Sequence, residues 1–269
     1  MMRENYSGKL MYLTSHAMSA QDGLKHLFTS RAGGVSSGHL SSLNLGFSLG
    51  DERENVMENY RRVCAVLGVP LESIVPARQV HGDTVKTVTE ADTGVFPPDR
   101  QRPGCDSLVT AEKGITLAVF YADCTAALFF DPKQRVIAAA HAGWRGTALK
   151  TYEKTVLAMR DRFGSRPEDM LAALSPSIGP CCYETDADVP EALCSALGSR
   201  AGGYIKKCGQ KWRVDLPGLN RMILESAGLS GGRIEDSGCC TGCMQELFWS
   251  NRKTGGKRGV SGAFITMTL

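Results

Sequence analysis

The chain has 269 residues, of which 42% are hydrophobic, and a formal net charge of +3. This length and apolar content allow one large domain with a substantial core, while so small a charge argues against a nucleic-acid partner, and we interpret the basic patch at 252–258 as a solvated loop. Because no secretory signal and no membrane-spanning run is visible, we expect a cytoplasmic protein, without a membrane partner, whose ten cysteines are reduced.

Helical and strand patterns alternate along the chain. Amphipathic patterns predict helices over 51–67 and 147–163. Apolar runs bounded by turn residues predict strands over 115–121, 127–130, 135–140 and 172–175. No linker or repeat interrupts this order, so we predict a single mixed α/β domain over 1–269, with loops after strands converging at one site.

A segment rich in glycine and hydroxyl residues, 29–38, precedes the first predicted helix. Its candidate anion-binding residues are Arg31, Gly33, Gly34 and Ser36. Glycines let backbone N–H groups approach an anion closely, so the segment predicts a phosphate site, with an ordinary loop as the alternative. Arg145 lies four residues after His141 and can carry a guanidinium to the same anion.

Three separated motifs supply two imidazoles and one thiol: Gln79-Val80-His81-Gly82, Ala122-Asp123-Cys124 and His141-Ala142-Gly143-Trp144-Arg145-Gly146. Catalytic zinc sites use three protein ligands and keep a fourth position for water or substrate. If a strand between them brings Cys124 and His141 to one edge of a sheet, these two residues and His81 predict a zinc site. The alternative is a buried thiol and a satisfied core histidine.

The remaining cysteines give a weaker signal. Cys240 and Cys243 have the spacing of metal ligands and follow Cys239, but no second pair of that spacing accompanies them. A second metal or redox site there is one hypothesis, and ordinary thiols are the other. We interpret Cys181-Cys182 as a vicinal pair that packs beside the turn at Gly179-Pro180.

Seven motifs follow one another in a fixed order: Thr29-Ser30-Arg31 with Gly33-Gly34, Leu43-Asn44-Leu45-Gly46, Gln79-Val80-His81-Gly82, Asp106-Ser107-Leu108-Val109-Thr110, Ala122-Asp123-Cys124, His141-Ala142-Gly143-Trp144-Arg145-Gly146 and Ser177-Ile178-Gly179-Pro180-Cys181-Cys182-Tyr183-Glu184. In this order they resemble the YfiH/YlmD family, also labelled polyphenol oxidase, laccase-domain protein or purine nucleoside phosphorylase. The resemblance extends from about residue 25 to the C-terminus.

The resemblance implies a fold, a cofactor and an activity. The fold is a single-domain layered α/β/β/α sandwich with mixed sheets, and one zinc ion is held by His81, Cys124 and His141. The activity is phosphorolysis of adenosine, inosine, guanosine and methylthioadenosine, with phosphate as the second substrate, together with hydrolytic deamination of adenosine. Carried over by motif, the catalytic and substrate contacts are Arg31, Asn44, Asp106 and Arg145, with Tyr183 and Glu184 on a neighbouring loop.

Deamination needs a carboxylate that moves protons. Asp106 is the preferred candidate, with a loop-capping aspartate as the alternative. Asp123 is disfavoured, because alternation along a strand would point its side chain away from that of Cys124. Two departures from the family matter: Ala126 replaces a common proline, which predicts an altered turn, and Gly259-Val260 replaces a common Gly-Arg, which puts a C-terminal arginine contact in doubt.

Three other functions are alternatives to the phosphorylase. A copper laccase needs many histidine ligands, and five histidines without a His-x-His pair disfavour copper relative to zinc. A cysteine hydrolase or deamidase would use Cys124 as nucleophile and His141 as base, and bound metal would distinguish it, since a zinc-bound thiolate is a poor nucleophile. A cell-wall precursor editing role is selected by no feature of the sequence, and the oligomeric state is not indicated.

Overall fold

The computed structural model describes residues 2–97 and 102–268, so the two ends of the predicted domain, Met1 and Leu269, lie outside the described residues. This part of the chain forms fifteen strands: β1 (Arg3–Ser7), β2 (Leu10–Thr14), β3 (Leu24–Thr29), β4 (Ile74–Pro76), β5 (Val85–Thr87), β6 (Ser107–Thr110), β7 (Thr116–Tyr121), β8 (Thr125–Asp131), β9 (Val136–Ala142), β10 (Leu171–Leu174), β11 (Glu184–Thr185), β12 (Ile205–Cys208), β13 (Lys211–Val214), β14 (Ile234–Asp236) and β15 (Ser261–Met267).

The same residues form seven α-helices: α1 (His16–Ser19), α2 (Arg53–Leu67), α3 (Trp144–Ala148), α4 (Thr151–Phe163), α5 (Asp188–Leu197), α6 (Leu216–Ser226) and α7 (Asn251–Thr254). The longest of them, α2, has 15 residues and is amphipathic. Within the described ranges, no helix has the length and apolar content needed to cross a membrane.

The strands form three sheets. The first has the order β1-β2-β3-β15-β7-β4, and the second has the order β14-β10-β8-β9-β6-β5. In each, antiparallel pairs dominate, but β4 runs parallel to β7, β5 runs parallel to β6, and β14 runs parallel to β10. A small antiparallel sheet, β11-β13-β12, completes the set. The mixed sheets expected from the family resemblance are therefore confirmed.

Alternation along the strands builds the layers. Leu117 of the first sheet and Leu128 of the second belong to one buried cluster, which lies between the two large sheets. Ala118, the next residue in β7, instead packs with Tyr60 of α2 on the outer face of the first sheet. On the second sheet, Phe129 packs with α4, α5 and α6. The result is a helix, sheet, sheet, helix sandwich, as predicted.

The predicted strands and the first helix lie within a few residues of their observed bounds, but the helix predicted over 147–163 is interrupted. The structure has two helices there, α3 and α4, separated by Lys150, whose φ of 56° puts it in the left-handed region. A continuous α-helix cannot pass through that conformation. The break lets the Thr151 hydroxyl donate to the carbonyl of Gly82, 3.0 Å away, and so ties α4 to the loop that carries His81.

The altered turn predicted at Ala126 is wrong. Ala126 lies inside β8, opposite His141 of β9, and its N–H donates to Ser175 Oγ at 2.8 Å. A proline has no N–H and would lose this hydrogen bond. Alanine at this position therefore makes a strand-to-loop hydrogen bond that a proline could not make.

A buried histidine in β3 makes stability depend on pH. Burial lowers the pKa of His26 from 6.5 to about 4, and its Nε2 accepts a hydrogen bond from Ser15 N–H at 2.8 Å. The unfolded chain therefore binds a proton at His26 more readily than the folded protein does. Neutral His26 thus stabilises the folded state above pH 6.5, and this stabilisation is lost as pH falls toward 4. We expect the free energy of unfolding to fall by about 2 kcal/mol between about pH 7.5 and pH 5 from this group.

Urea unfolding at those two pH values tests the expectation. His26→Gln keeps an acceptor for Ser15 but does not titrate, so its loss of stability should be smaller by that amount. The exposed His39→Gln should behave like the unsubstituted protein. The same pH dependence in all three proteins would contradict the assignment.

Candidate metal centre

Cys124 lies where the chain crosses from the first large sheet to the second. Strand β7 of the first sheet ends at Tyr121, and β8 of the second sheet begins at Thr125. Strand β8 pairs antiparallel with β9, so that Thr125 lies opposite Ala142. Because Cys124 directly precedes Thr125, this register puts its thiol beside the end of β9, where His141 lies.

One buried carboxylate organises both histidines. Asp106, just before β6, accepts backbone N–H groups from Val80 at 3.0 Å, His81 at 3.1 Å and Gly82 at 2.8 Å. These bonds hold His81 in a loop with a φ of 58°. The Asp106 Oδ1 atom also lies 2.9 Å from His141 Nδ1. Asp106 therefore orients one imidazole directly and the other through its backbone.

The ligand atoms of His81, Cys124 and His141 all lie within 4.8 Å of one another. Cys124 Sγ is 3.9 Å from His81 Nε2, and the two imidazole rings are perpendicular with centroids 4.9 Å apart. Asp106 occupies His141 Nδ1, so Nε2 is the nitrogen left for a metal. A Cβ on Gly143 would lie 2.8 Å from Cys124 Sγ, so only glycine leaves this space. The set suits a tetrahedral ion with one open position.

Hydrogen bonding sets the charge state of this group. Burial opposes ionisation of Cys124, but hydrogen bonds with His141 and His81 outweigh it and lower the thiol pKa to about 6. Burial also opposes protonation of His141, yet its hydrogen bonds with Asp106 and Cys124 raise its pKa to about 9. Cys124 is thus a thiolate at neutral pH, the form that binds a metal or acts as a nucleophile.

A cavity of about 150 Å³ opens over His81 and Cys124, and its other walls are Asp123, Gly143, Trp144, Arg145, Ile178, Tyr183 and Leu216. A second cavity of about 370 Å³ shares Trp144 and Tyr183 with the first. Ligand pockets commonly enclose roughly 300–1,000 Å³. Together the two cavities have the size and the aromatic walls of a small-molecule site.

Positive charge borders this space. Arg145 is exposed, and its guanidinium carbon lies 4.3 Å from the centroid of the Trp144 ring. Among the described residues, this guanidinium has no hydrogen-bond or ion-pair partner, and the Arg145 carbonyl accepts from Leu149 N–H. The Arg252 guanidinium lies 5.2 Å from the Tyr183 ring and donates to the carbonyl of Glu184. Burial raises the pKa of the Tyr183 phenol, so it stays neutral. An anion beside the His/Cys group would therefore meet an available guanidinium.

Arg31 lies elsewhere. Its Nε and Nη2 donate to the carbonyl of Ser41 at 3.2 and 2.8 Å, and its Nη1 donates to that of Gln245 at 2.9 Å. The guanidinium also stacks on Trp249 at 4.0 Å. Arg31 lines neither cavity. Its donors connect two loops of the protein.

Asn44 is likewise held within the fold. Its Nδ2 donates to Asp51 at 2.8 Å and to Gly46 O at 3.3 Å, while its Oδ1 accepts N–H groups from Gly46 at 2.9 Å and Val260 at 3.3 Å. Asn44 is fully buried and lines neither cavity. Both ends of the amide are used, so the structure does not bring this residue to the candidate site.

The predicted anion loop packs against the first sheet. The N–H groups of Gly34, Val35 and Ser36 all donate to partners within the protein. A Cβ on Gly33 would lie 2.3 Å from Leu10 Cα, and one on Gly34 would lie 2.1 Å from the carbonyl oxygen of Ser42. These glycines permit close backbone contact, and the three N–H groups are already engaged within the protein.

Of the two candidate proton-transfer carboxylates, the disfavoured Asp123 lies at the smaller cavity and the preferred Asp106 does not. Asp106 is buried behind His141 and lines neither cavity, and its carboxylate contacts both the loop of His81 and the His141 ring. Asp123 does line the smaller cavity, because strand alternation ends at Tyr121 and Asp123 has a φ of 83°. The Asp123 carboxylate accepts hydrogen bonds from the Thr241 hydroxyl and from the backbone N–H of Arg252, both at 2.6 Å.

The basic patch interpreted as a solvated loop contributes to the site. Arg252 packs on Tyr183 and lines the larger cavity. Burial lowers the pKa of the Arg258 guanidinium, and the negative charges on Asp123 and Cys124 oppose that shift. The Arg258 guanidinium itself donates to Asn251 Oδ1 at 3.1 Å and to the carbonyl of Gly259 at 3.2 Å. The clustering of basic residues at 252–258 is the sequence feature that could have indicated the role of Arg252.

These features define an α/β sandwich protein with a candidate metal centre, a His/Cys/His set, at the crossing between its two large sheets. Residues 25–268 match the family described as "Multi-copper polyphenol oxidoreductase laccase". The chain belongs to this family, in the group of proteins named YfiH and YlmD.

Relatives with these names resemble the chain over most of its length. "Purine nucleoside phosphorylase YlmD" of Geobacillus stearothermophilus is 38% identical over 240 residues, which are 88% of each chain. The protein of the same name from Bacillus subtilis is 34% identical over 242 residues, 89% of this chain and 87% of its own. The crystal structure of the hypothetical protein YfiH from Bacillus licheniformis has a TM-score of 0.92 and 31% identity, covering 99% of both chains.

Proposed function

We propose that this protein is a zinc-dependent purine nucleoside phosphorylase that acts on adenosine, inosine, guanosine and methylthioadenosine, and that it also deaminates adenosine. The observation that carries the proposal is the convergence of the ligand atoms of His81, Cys124 and His141 beside a cavity that His81, Cys124 and Arg145 line. The names of the relatives support purine nucleosides and phosphate as the substrates.

The ligand set supports zinc over the several coppers in the family's description. Among the described residues, His81 and His141 are the histidines that belong to a group of potential metal ligands, and they share one ion-sized space with Cys124. A multicopper site needs many more imidazoles, whereas two histidines, a thiolate and an open position suit zinc. When bound, zinc would supply a Lewis acid at the floor of the cavity.

In phosphorolysis, the bond between the ribose C1′ and the purine nitrogen breaks while a phosphate oxygen bonds to C1′. The purine leaves with the electron pair and takes up a proton, and positive charge builds on the ribose in between. Arg145 would hold the phosphate beside C1′, and the aromatic side chains of Trp144 and Tyr183 would orient the nucleoside and exclude water. No covalent bond to the protein is required.

The deaminase part of the proposal rests on the family resemblance. Replacing the 6-amino group by oxygen requires a group that moves protons near the base. Asp123 is the carboxylate of the smaller cavity, so we assign this role to it and a positioning role to Asp106.

A cysteine hydrolase is the second candidate, favoured by the thiolate itself. The thiol pKa of Cys124 is lowered to about 6, and its Sγ lies 3.9 Å from His81 Nε2 and near His141. An activated thiol beside an imidazole is the pair that such enzymes use. In the metal-free state this thiol should react rapidly with iodoacetamide, whereas bound zinc should protect it.

The deciding experiment combines metal analysis with substrate turnover. The purified protein is analysed for metal by mass spectrometry, and the same sample is incubated with adenosine and with inosine, with and without phosphate. Zinc together with phosphate-dependent release of free base would support the phosphorylase, and phosphate-independent formation of inosine from adenosine would support deamination. Absence of zinc and of turnover, with rapid alkylation of Cys124, would move the assignment to the hydrolase.

Removing the Arg145 guanidinium is expected to affect phosphate selectively. We expect Arg145→Ala to raise the KM for phosphate by about tenfold to a hundredfold, the usual value of a charge-assisted hydrogen bond, and to change the KM for inosine by less than about twofold. Steady-state kinetics with each substrate varied in turn measures this. Arg160→Ala, which removes an exposed arginine of α4 paired with Asp161, is the matched control. Equal increases for both substrates would remove the assigned role.

A further inference from the structure

Four cysteines outside the candidate metal centre converge at one place. The sulfur atoms of Cys181, Cys182, Cys240 and Cys243 all lie within 4.8 Å of one another. Cys243 Sγ is 3.4 Å from Cys181 Sγ and 3.5 Å from Cys182 Sγ. The vicinal pair, interpreted from the sequence as simple packing beside a turn, thus supplies the second pair that the Cys-x-x-Cys motif lacked.

The distances between sulfurs match one tetrahedral ion. With metal–sulfur bonds of about 2.3 Å, two thiolates on a tetrahedral zinc lie about 3.8 Å apart. A disulfide requires sulfurs about 2.05 Å apart, and all four cysteines are free thiols. The cluster therefore has the spacing of four ligands to one ion, with no two members bonded to each other.

The surrounding backbone is shaped to hold these sulfurs. The Gly179 N–H donates to Cys240 Sγ at 3.2 Å, the kind of contact that orients a thiolate ligand. A Cβ on Gly242 would lie 2.8 Å from Cys182 Cβ and 2.9 Å from its Sγ, so glycine is required between the Cys-x-x-Cys cysteines. Arg213 donates to the carbonyl of Cys181 and brings positive charge to a site of four thiolates.

We propose that Cys181, Cys182, Cys240 and Cys243 bind a structural zinc ion, distinct from the ion at His81, Cys124 and His141. Four protein ligands leave no open position, so this site is closed, as structural zinc sites are. Reduced thiols, soft ligands and tetrahedral spacing all favour zinc.

The second ion would join two loops that build the cavity walls. The loop with Cys181 and Cys182 leads directly into Tyr183, which lines both cavities. Thr241, inside the Cys-x-x-Cys motif, donates from its hydroxyl to Asp123, beside Cys124. Its backbone N–H also donates to the carbonyl of Ser177 at 3.1 Å. Loss of this ion should therefore loosen the walls without removing any ligand of the other centre.

Metal counting tests the proposal without reference to activity. Purified under reducing conditions and equilibrated with zinc, the full chain should retain two ions, and Cys181→Ser and Cys243→Ser should each retain one. His81→Ala should also retain one, held by the four cysteines. Cys208→Ser removes an exposed cysteine outside the cluster and should retain two. Cobalt substitution in the His81→Ala protein should give the intense charge-transfer absorption of four thiolate ligands, lost on the further substitution Cys243→Ser.

Several results would overturn the second site. One is a full chain that retains a single zinc ion, lost entirely in His81→Ala. Another is the finding by mass spectrometry of a Cys181–Cys243 or Cys182–Cys243 disulfide in protein freshly purified under reducing conditions. Iron at the same stoichiometry would overturn the assignment to zinc. His81→Ala removes a ligand from one centre only, so the two proposals are tested independently. Failure of the four-cysteine site would leave the proposed phosphorylase untouched, and failure of the phosphorylase would leave the four-cysteine site untouched.

Discussion

Replacing Cys124 by alanine is expected to abolish binding of the catalytic ion and nucleoside phosphorolysis together, and His81→Ala should do the same. Each change leaves two protein ligands, too few to hold zinc in an open tetrahedral site. Losing the Lewis acid would remove about 4 kcal/mol of transition-state stabilisation or more, so kcat/KM should fall by at least about a thousandfold. Metal content and phosphate-dependent release of hypoxanthine from inosine are measured on the same samples.

Two exposed residues provide matched controls for these variants. Cys208→Ala removes a thiol and His39→Ala removes an imidazole, and neither residue belongs to the candidate ligand groups. Both should keep the metal content and the activity of the unsubstituted protein. A Cys124→Ala protein that lacks the ion at His81 and His141 yet turns over inosine at full rate would reject the zinc-dependent mechanism. It would also reject the hydrolase, which depends on the same thiol.

Asp106→Asn should weaken the same centre without removing a ligand. The carboxylate accepts three backbone N–H groups and contacts His141 Nδ1, and an amide offers one acceptor oxygen in place of two. His141 would lose its orientation and the loop of His81 would lose part of its anchor. Since such supporting partners are commonly worth 10- to 100-fold, we expect metal affinity to fall by about that factor, with a similar loss in kcat/KM.

Competition with a chromogenic chelator measures this affinity separately from folding. Asp22→Asn, a change of the same kind at an exposed aspartate, is the control and should leave the affinity unchanged. Urea unfolding of both variants in the presence of chelator reports any general loss of stability. A normal metal affinity in a destabilised Asp106→Asn protein would show that Asp106 only caps its loop.

The local sequence pattern was sufficient to predict the strands that lead to Cys124 and His141. The apolar runs before Cys124 and before His141 predicted β7 and β9, because strands buried on both faces are almost continuously apolar. The pattern failed at Lys150, where a left-handed residue divides one predicted helix into two. Amphipathic spacing continues across that break, so no periodicity could reveal it. The contact between Thr151 and Gly82 that accompanies the break joins residues far apart in the chain.

The candidate site, too, was predictable from the sequence only in part. Residue type and motif were enough to single out His81, Cys124 and His141, since few side chains can hold a metal and each stands in a distinctive motif. Their convergence, the capping role of Asp106, the engagement of Arg31 by backbone carbonyls and the meeting of the four cysteines emerge from the folded structure. Each depends on hydrogen bonds or strand register between residues distant in the chain, and such pairings leave no mark in the local order of residues.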